Sequence, residues 1–348
     1  MQIHGGDIYQ NEVEIDFSAN INPFGMPKAV ELAAIEGIRK SIHYPDIRCS
    51  KLKQAIAKKE RVNESYIFCG NGAAEVIFQL IQARRPRKAL LLAPTFVEYE
   101  QALIAGNCEV TKFFLKKEEG FQVNEAILES LREDIEIFFL CNPNNPTGEV
   151  IEPSLLTRML QHCKKLGILC VIDECFQDFL LEEDQDSRTQ ELDTNPTLFL
   201  LKAFTKMYGM AGLRLGYGLC SDASLLTKMR EVTQPWNVSI PAQAAGIAAC
   251  KEDTFVQESR AYVAVQRDYL QTELRKLGFV VYESKANFIF FEGPIGLYEA
   301  CLREKILIRS CSNYDGLGDT YYRIAVKTQE ENEVLIGRLQ EIMEENNG

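Results

Sequence analysis

From residue 66 onward, short apolar runs alternate with stretches whose apolar positions recur at helical spacing. The runs fall at 66–69, 89–93, 110–114, 135–141, 168–172, 197–201 and 215–220, and each reads as a strand. Helical patterns lie between most of them, at 74–83, 99–105, 125–131 and 154–166, and two more precede them at 28–40 and 52–59. Such alternation predicts an α/β fold, a mostly parallel sheet with helices on both faces. Ligands of that architecture sit beyond the carboxyl ends of the strands.

The two ends of the chain differ from this middle. The first forty residues are polar and turn-rich, and Asn20-Ile21-Asn22-Pro23-Phe24-Gly25 reads as an extended arm. After Pro235, helical stretches at 242–251 and 254–277 lead into a smaller α+β unit. Its strands are expected at 280–282, 287–291, 307–309 and 322–326, with a charged helix at 330–345 to close it. The pattern therefore predicts an arm (1–35) that joins a small domain, a large domain (36–238) and a C-terminal small domain (239–348). With no repeat, low-complexity run or long linker, the parts are expected to pack together.

Composition narrows the function classes. The chain has 348 residues, enough for a large α/β domain and a smaller one. Its 46% hydrophobic and 25% charged residues are ordinary for a globular protein. A formal net charge of −12 argues against nucleic acid or an anionic membrane as partner. An anionic small substrate would then need a local cluster of arginines. The eleven cysteines are odd in number and irregular in spacing, with Cys170 and Cys175 the nearest to a pair and no C-x-x-C. Neither a disulfide framework nor a zinc site is expected. The stretch Met1-Gln2-Ile3-His4-Gly5-Gly6-Asp7 lacks the basic and apolar regions of a signal peptide, and no apolar run would span a bilayer. These features predict a cytoplasmic protein.

The chemistry concentrates in 201–217, where Lys206 follows an apolar strand and Gly209, Gly212 and Gly216 permit close backbone approach. Flanked by Phe204, Met207 and Tyr208, the lysine is partly shielded, which disfavours its ammonium form and makes the amine a nucleophile toward an aldehyde. Arg214, eight residues on, is a planar fork suited to a phosphate. Aldehyde and phosphate on one molecule describe pyridoxal 5′-phosphate (PLP). The competing reading is a surface lysine in a Gly-rich loop.

Other motifs follow the remaining strands. Gly70-Asn71-Gly72-Ala73-Ala74-Glu75 opens a helix and offers backbone N–H groups to a phosphate, although a plain strand–turn–helix also needs glycine. In Pro94-Thr95-Phe96-Val97-Glu98-Tyr99, either aromatic could lie on a cofactor ring or in the core. Asn142-Pro143-Asn144-Asn145-Pro146-Thr147-Gly148 is a stiff loop in which Asn145 could donate to a phenolate oxygen. Asp173, at the end of the fifth strand, is costly to bury without a partner. A protonated pyridine nitrogen would be one, and a helix N-cap role is the alternative. Arg309 and Arg323 end strands of the small unit, where they suit a substrate carboxylate and phosphate or plain surface salt bridges.

Taken together and in this order, these motifs resemble the fold type I PLP enzymes, specifically the histidinol-phosphate aminotransferase branch, from His4 to Val326. The resemblance implies that Lys206 bonds the cofactor aldehyde, Asp173 pairs with the pyridine nitrogen, Asn145 bonds the 3′-oxygen and Phe96 stacks on the ring. Arg214, Thr205 and the amides of Ala73 and Ala74 would hold the cofactor phosphate. Tyr44 would reach the phosphate of a neighbouring subunit, which implies a homodimer with shared sites. Arg323 would bind the substrate carboxyl end, with His4, Asn20 and Arg309 gripping carboxylate or phosphate.

Within that branch, the details are more similar to the L-threonine-O-3-phosphate decarboxylases. Aminotransferases of the branch usually carry D-E-A-Y, whereas Phe176 holds the tyrosine's place here and cannot bond the 3′-oxygen. His4-Gly5-Gly6, the stretch 16–23, Phe96-x-Glu98-Tyr99 and the stretch 308–317 also fit the decarboxylases. Ala203 departs from relatives that often place Ser or Thr there, which implies that one phosphate hydrogen bond is lost or replaced. The implied reaction converts L-threonine O-3-phosphate to (R)-1-amino-2-propanol phosphate and CO₂ in cobalamin biosynthesis. Histidinol-phosphate aminotransfer and a non-catalytic PLP-binding role are the alternatives.

Overall fold

A central sheet of seven strands, four of them buried along their whole length, organises the chain; the computed structural model describes residues 5–347. The arm supplies a two-residue strand, β1 (Ile15–Asp16), and helices α1 (Lys28–Arg39) and α2 (Ser50–Glu60) follow. Next come β2 (Ile67–Gly70), α3 (Ala73–Arg84), β3 (Lys88–Ala93), α4 (Glu98–Ala105), β4 (Glu109–Phe114) and the single turn α5 (Ile127–Ser130). The sheet continues through β5 (Ile137–Cys141), α6 (Pro153–Leu166), β6 (Leu169–Asp173), β7 (Leu198–Ala203) and β8 (Gly216–Leu219). Helices α7 (Ala223–Val232), α8 (Ile240–Ala249) and α9 (Asp253–Lys276) lead to the C-terminal strands.

The strand order is β2-β8-β7-β6-β5-β3-β4, and only β8 runs against its neighbours. Successive side chains point to opposite faces, and both faces are covered. Leu90, Phe138, Ile172 and Leu200 pack into one apolar cluster, while Leu91, Phe139, Val171 and Leu201 pack into the other against α3, α4 and α7. Two-sided burial is why these strands read as unbroken apolar runs. The expected fold class is the observed one.

The remaining strands are β9 (Val280–Val281), β10 (Phe288–Glu292), β11 (Ile306–Leu307), β12 (Arg309–Ser310) and β13 (Tyr321–Ala325), with helices α10 (Leu297–Arg303) and α11 (Gln329–Asn347). β12, β13, β10 and β9 form an antiparallel sheet. The one strand expected at 307–309 is in fact two. β11 pairs parallel with β1 of the arm, and after Ile308 the chain joins β13 instead. That change of partner brings the arm and Arg309 to the same side of the cleft. Helix α8 packs chiefly on α1, with α2 beside it. Among the described residues no helix is long and apolar enough to cross a membrane, and no group of three acidic, His or Cys residues is placed to hold a metal.

Candidate active site

The carboxyl ends of β3, β5, β6 and β7 border a cavity of about 530 Å³ that the arm and the C-terminal sheet close from the other side. Larger hollows lie elsewhere among the described residues, about 940 Å³ beside Lys59 and Asp178, about 910 Å³ beside Cys49 and Asn237 and about 640 Å³ beside Tyr298 and Arg303. None of these holds the nucleophile, the buried acid and the arginines together, so chemistry singles out the smaller cavity. Ala73, Ala74, Phe96, Asn145, Asp173, Thr205, Lys206, Arg214, Asn20, Arg309 and Arg323 all line it. His4 lies outside the described residues. Tyr44 is not among the lining residues; it is 77% exposed and stacks on Trp236, ring centroids 4.5 Å apart.

Asp173 ends β6 almost fully buried. Its Oδ2 accepts from the Tyr99 hydroxyl at 2.6 Å and its Oδ1 from the Cys175 amide at 2.9 Å. Burial pushes its carboxyl pKa up, and the Cys175 and Tyr99 bonds and the Lys206 charge oppose that push. Tyr99 is wholly buried and stacks on Phe139, whereas Phe96 remains half-buried on the cavity wall. The structure thus separates two aromatics that the sequence left equivalent.

Lys206 lies on the turn after β7, its Nζ 5.9 Å from the centre of the Phe176 ring. Burial lowers its pKa, and Arg323 and Arg214 lower it further, so more of the amine is neutral than in a surface lysine. The turn is pressed onto the arm. The Asn22 side chain donates to the Met207 carbonyl at 2.8 Å and accepts from the Phe24 amide at 3.0 Å, and a Cβ on Gly209 would fall 2.6 Å from Gly25.

Opposite Lys206, α3 begins at Gly72 with no side chain capping it, so the first amides of the helix face the cavity mouth. Arg214 takes a left-handed conformation, φ 58°, uncommon for a long side chain. It brings the guanidinium so close that a Cβ on Gly72 would lie 2.6 Å from Nη2. Gly216 has the same constraint, since its Cβ would meet the Ala73 nitrogen at 2.4 Å. Uncapped amides, a cation and the Thr205 hydroxyl make a cradle for a dianion, which fits the phosphate of PLP.

Across the cleft Arg323, itself buried, donates to Asn145 Oδ1 and to the Ser18 carbonyl, the latter at 2.7 Å. It joins the β5 loop, the arm and β13. Asn20 is 3% exposed and its Oδ1 has no hydrogen-bond partner among the described residues, an acceptor position a ligand can use. Arg309 is buried beside Tyr314 and Asn313. Sequence reasoning gave no role to Glu98, which also lines the cavity; burial raises its pKa to about 7 although Lys206 and Arg309 pull it down. A carboxylate two residues from Phe96 was the available signal.

The sequence matches the family described as aminotransferase class I and II over residues 12–339. The chain belongs to this family. Among curated relatives, the threonine-phosphate decarboxylase of Salmonella typhimurium is 36% identical over 98% of this chain and 96% of its own length. Among solved structures, the histidinol-phosphate aminotransferase of Clostridium acetobutylicum superposes with a TM-score of 0.89 at 29% identity, covering 95% of this chain and 99% of that one. The L-threonine-O-3-phosphate decarboxylase of Porphyromonas gingivalis does so with a TM-score of 0.83 at 25% identity and the same coverage. For a member of the aminotransferase class I and II family, the carboxyl-end cavity is therefore the site to interpret.

Proposed function

We propose that the protein is a PLP-dependent decarboxylase that converts L-threonine O-3-phosphate to (R)-1-amino-2-propanol phosphate and CO₂, a step of cobalamin biosynthesis. The observation that carries the reading is the pairing of a cofactor cradle with two further buried arginines, Arg309 and Arg323, on the substrate side. A substrate with both phosphate and carboxylate uses both. The match to a threonine-phosphate decarboxylase over nearly the whole chain supports the same choice.

PLP supplies a protonated pyridine ring that accepts the electron pair left when a bond at the substrate α-carbon breaks. Lys206, with its lowered pKa, provides the amine that bonds the cofactor aldehyde. Asp173 holds the proton at the pyridine nitrogen, and the Tyr99 hydroxyl keeps that carboxylate oriented. Arg214, Thr205 and the amides of Ala73 and Ala74 hold the cofactor phosphate; Phe96 covers the ring and Asn145 bonds the 3′-oxygen. Arg309 takes the substrate phosphate, while Arg323 and Asn20 contact the carboxylate. Gripped at both ends, the substrate presents its carboxylate bond rather than its α-hydrogen for cleavage. Lys206 or water then returns a proton to the α-carbon as CO₂ leaves.

Tyr44 and the exposed side chains of Leu32, Ile35 and Ile38 on α1, with Ile42, Ile47 and Trp236, form the surface we assign to a homodimer in which Tyr44 serves the neighbouring site. All eleven cysteines are free, which suits the reducing cytoplasm.

The test is a substrate comparison on the PLP-loaded protein. L-Threonine O-3-phosphate is followed for CO₂, and histidinol phosphate with 2-oxoglutarate for glutamate. CO₂ without a keto acid is the expected result. Glutamate formation alone would overturn the reading in favour of the aminotransferase, and Arg309→Ala with full activity on threonine phosphate would overturn the role of Arg309.

A further inference from the structure

The loop after β12 carries the groups that hold Arg309. Arg309 Nη2 donates to Asn313 Oδ1 at 2.6 Å, and the guanidinium lies 5.4 Å from the centre of the Tyr314 ring. Both partners sit in one tight turn, closed by bonds from the Tyr314 amide to the Cys311 carbonyl at 3.0 Å and from the Leu317 amide to the Tyr314 carbonyl at 3.1 Å. The next residue, Asp315, reaches across the cleft to the edge of the large sheet.

There it meets Lys112 of β4, whose Nζ also bonds Glu100 of α4 at 2.6 Å. Lys112 is a fifth exposed, and two carboxylates from different elements share its ammonium. Two residues along β4, on the same face of the strand, Phe114 sets its ring 3.4 Å from the position a Gly316 Cβ would take. A charge and a ring from one edge strand thus hold one loop. The contact joins residues 203 apart in the chain.

We propose that Lys112 is a positioning residue for the substrate phosphate: by clamping Asp315 to Glu100 it fixes the Asn313–Tyr314 turn and thereby the guanidinium of Arg309. The inference rests on Arg309 as the phosphate-binding group. Arginine side chains have many rotamers, and a phosphate site gains affinity when the fork is already aimed before binding. A partly exposed ion pair adds little to global stability, so its removal is to be felt in binding rather than in folding.

The experiment uses the full-length, PLP-loaded protein and threonine phosphate, with Lys112→Met, Lys112→Arg, Arg309→Ala and the double variant Lys112→Met/Arg309→Ala. Lys112→Met is expected to raise KM roughly three- to tenfold with kcat within about twofold of the parent. Lys112→Arg should restore KM, and PLP absorbance and the melting temperature should stay at the parent's values. On the Arg309→Ala background, Lys112→Met should add nothing, because its effect passes through the arginine. An unchanged KM in Lys112→Met beside a raised KM in Arg309→Ala would overturn the clamp alone. So would a Lys112→Met effect of the same size on both backgrounds, or a loss of PLP and kcat together. An unchanged KM in Arg309→Ala would overturn the phosphate assignment and the clamp with it.

Discussion

Asp173 depends on a hydroxyl that comes from 74 residues earlier in the chain. Deleting it in Tyr99→Phe leaves a buried carboxylate short of a donor without opening much space. The expected loss is about 1–3 kcal/mol of unfolding free energy, read from urea titration. Gly72→Ala acts on the cofactor instead. Its methyl would press on Arg214 Nη2, and the residue would have to hold φ at +84°. PLP affinity, measured by absorbance titration, is expected to fall about tenfold or more. At this scale the sequence was legible where a residue's chemistry was announced by its own neighbours. Lys206, Asp173 and Asn145 each stand in a motif at a strand end. Tyr99 and Glu98 also stand in a motif, but their roles are not legible there, because what gives them meaning lies on other elements: Asp173 for Tyr99, Lys206 and Arg309 for Glu98.

Elements are held by a second polar cluster behind the cavity. Lys202 of β7 pairs with Glu60 of α2 at 2.8 Å and with Glu174, which follows β6, at 3.2 Å; Tyr217 of β8 also donates to Glu60 at 2.6 Å. All three charged groups are buried. Lys202→Met would strand two carboxylates in the interior and should destabilise the protein by about 3–5 kcal/mol. Thermal and urea unfolding check this, and a loss below about 1 kcal/mol would mean that water reaches the pair. The strands of the large sheet could be placed from sequence because burial on both faces writes long apolar runs. β1 could not, and β11 and β12 read as one strand, since two residues carry no period and the change of partner at Ile308 is decided by segments that meet from opposite ends of the sequence.

The whole molecule records burial in its response to pH. Glu149, half-buried, has its pKa raised to about 7 by burial, from an ordinary 4.5. The native state therefore binds more protons than the unfolded chain between those values, and its stability falls as pH rises through that window. Glu149→Gln should be more stable than the parent above pH 7 and indistinguishable from it below the ordinary carboxylate range, as denaturant titrations across pH would report. The proposed dimer has its own test: mixing Tyr44→Ala with Lys206→Ala protein should recover activity that neither has alone, whereas a monomer would recover none. The sequence by itself determined the α/β class, the order of strands and helices, and the motifs that match a PLP site, because these follow from local periodicity and from residue types beside strand ends. Only the tertiary structure decided that Tyr99 serves Asp173, that Arg323 ties Asn145 to the arm, and that Lys112 reaches Asp315. Each of those contacts joins segments far apart in the chain; the packing of α4 on the large sheet makes the first, and the meeting of the two sheets and the arm across the cleft makes the others.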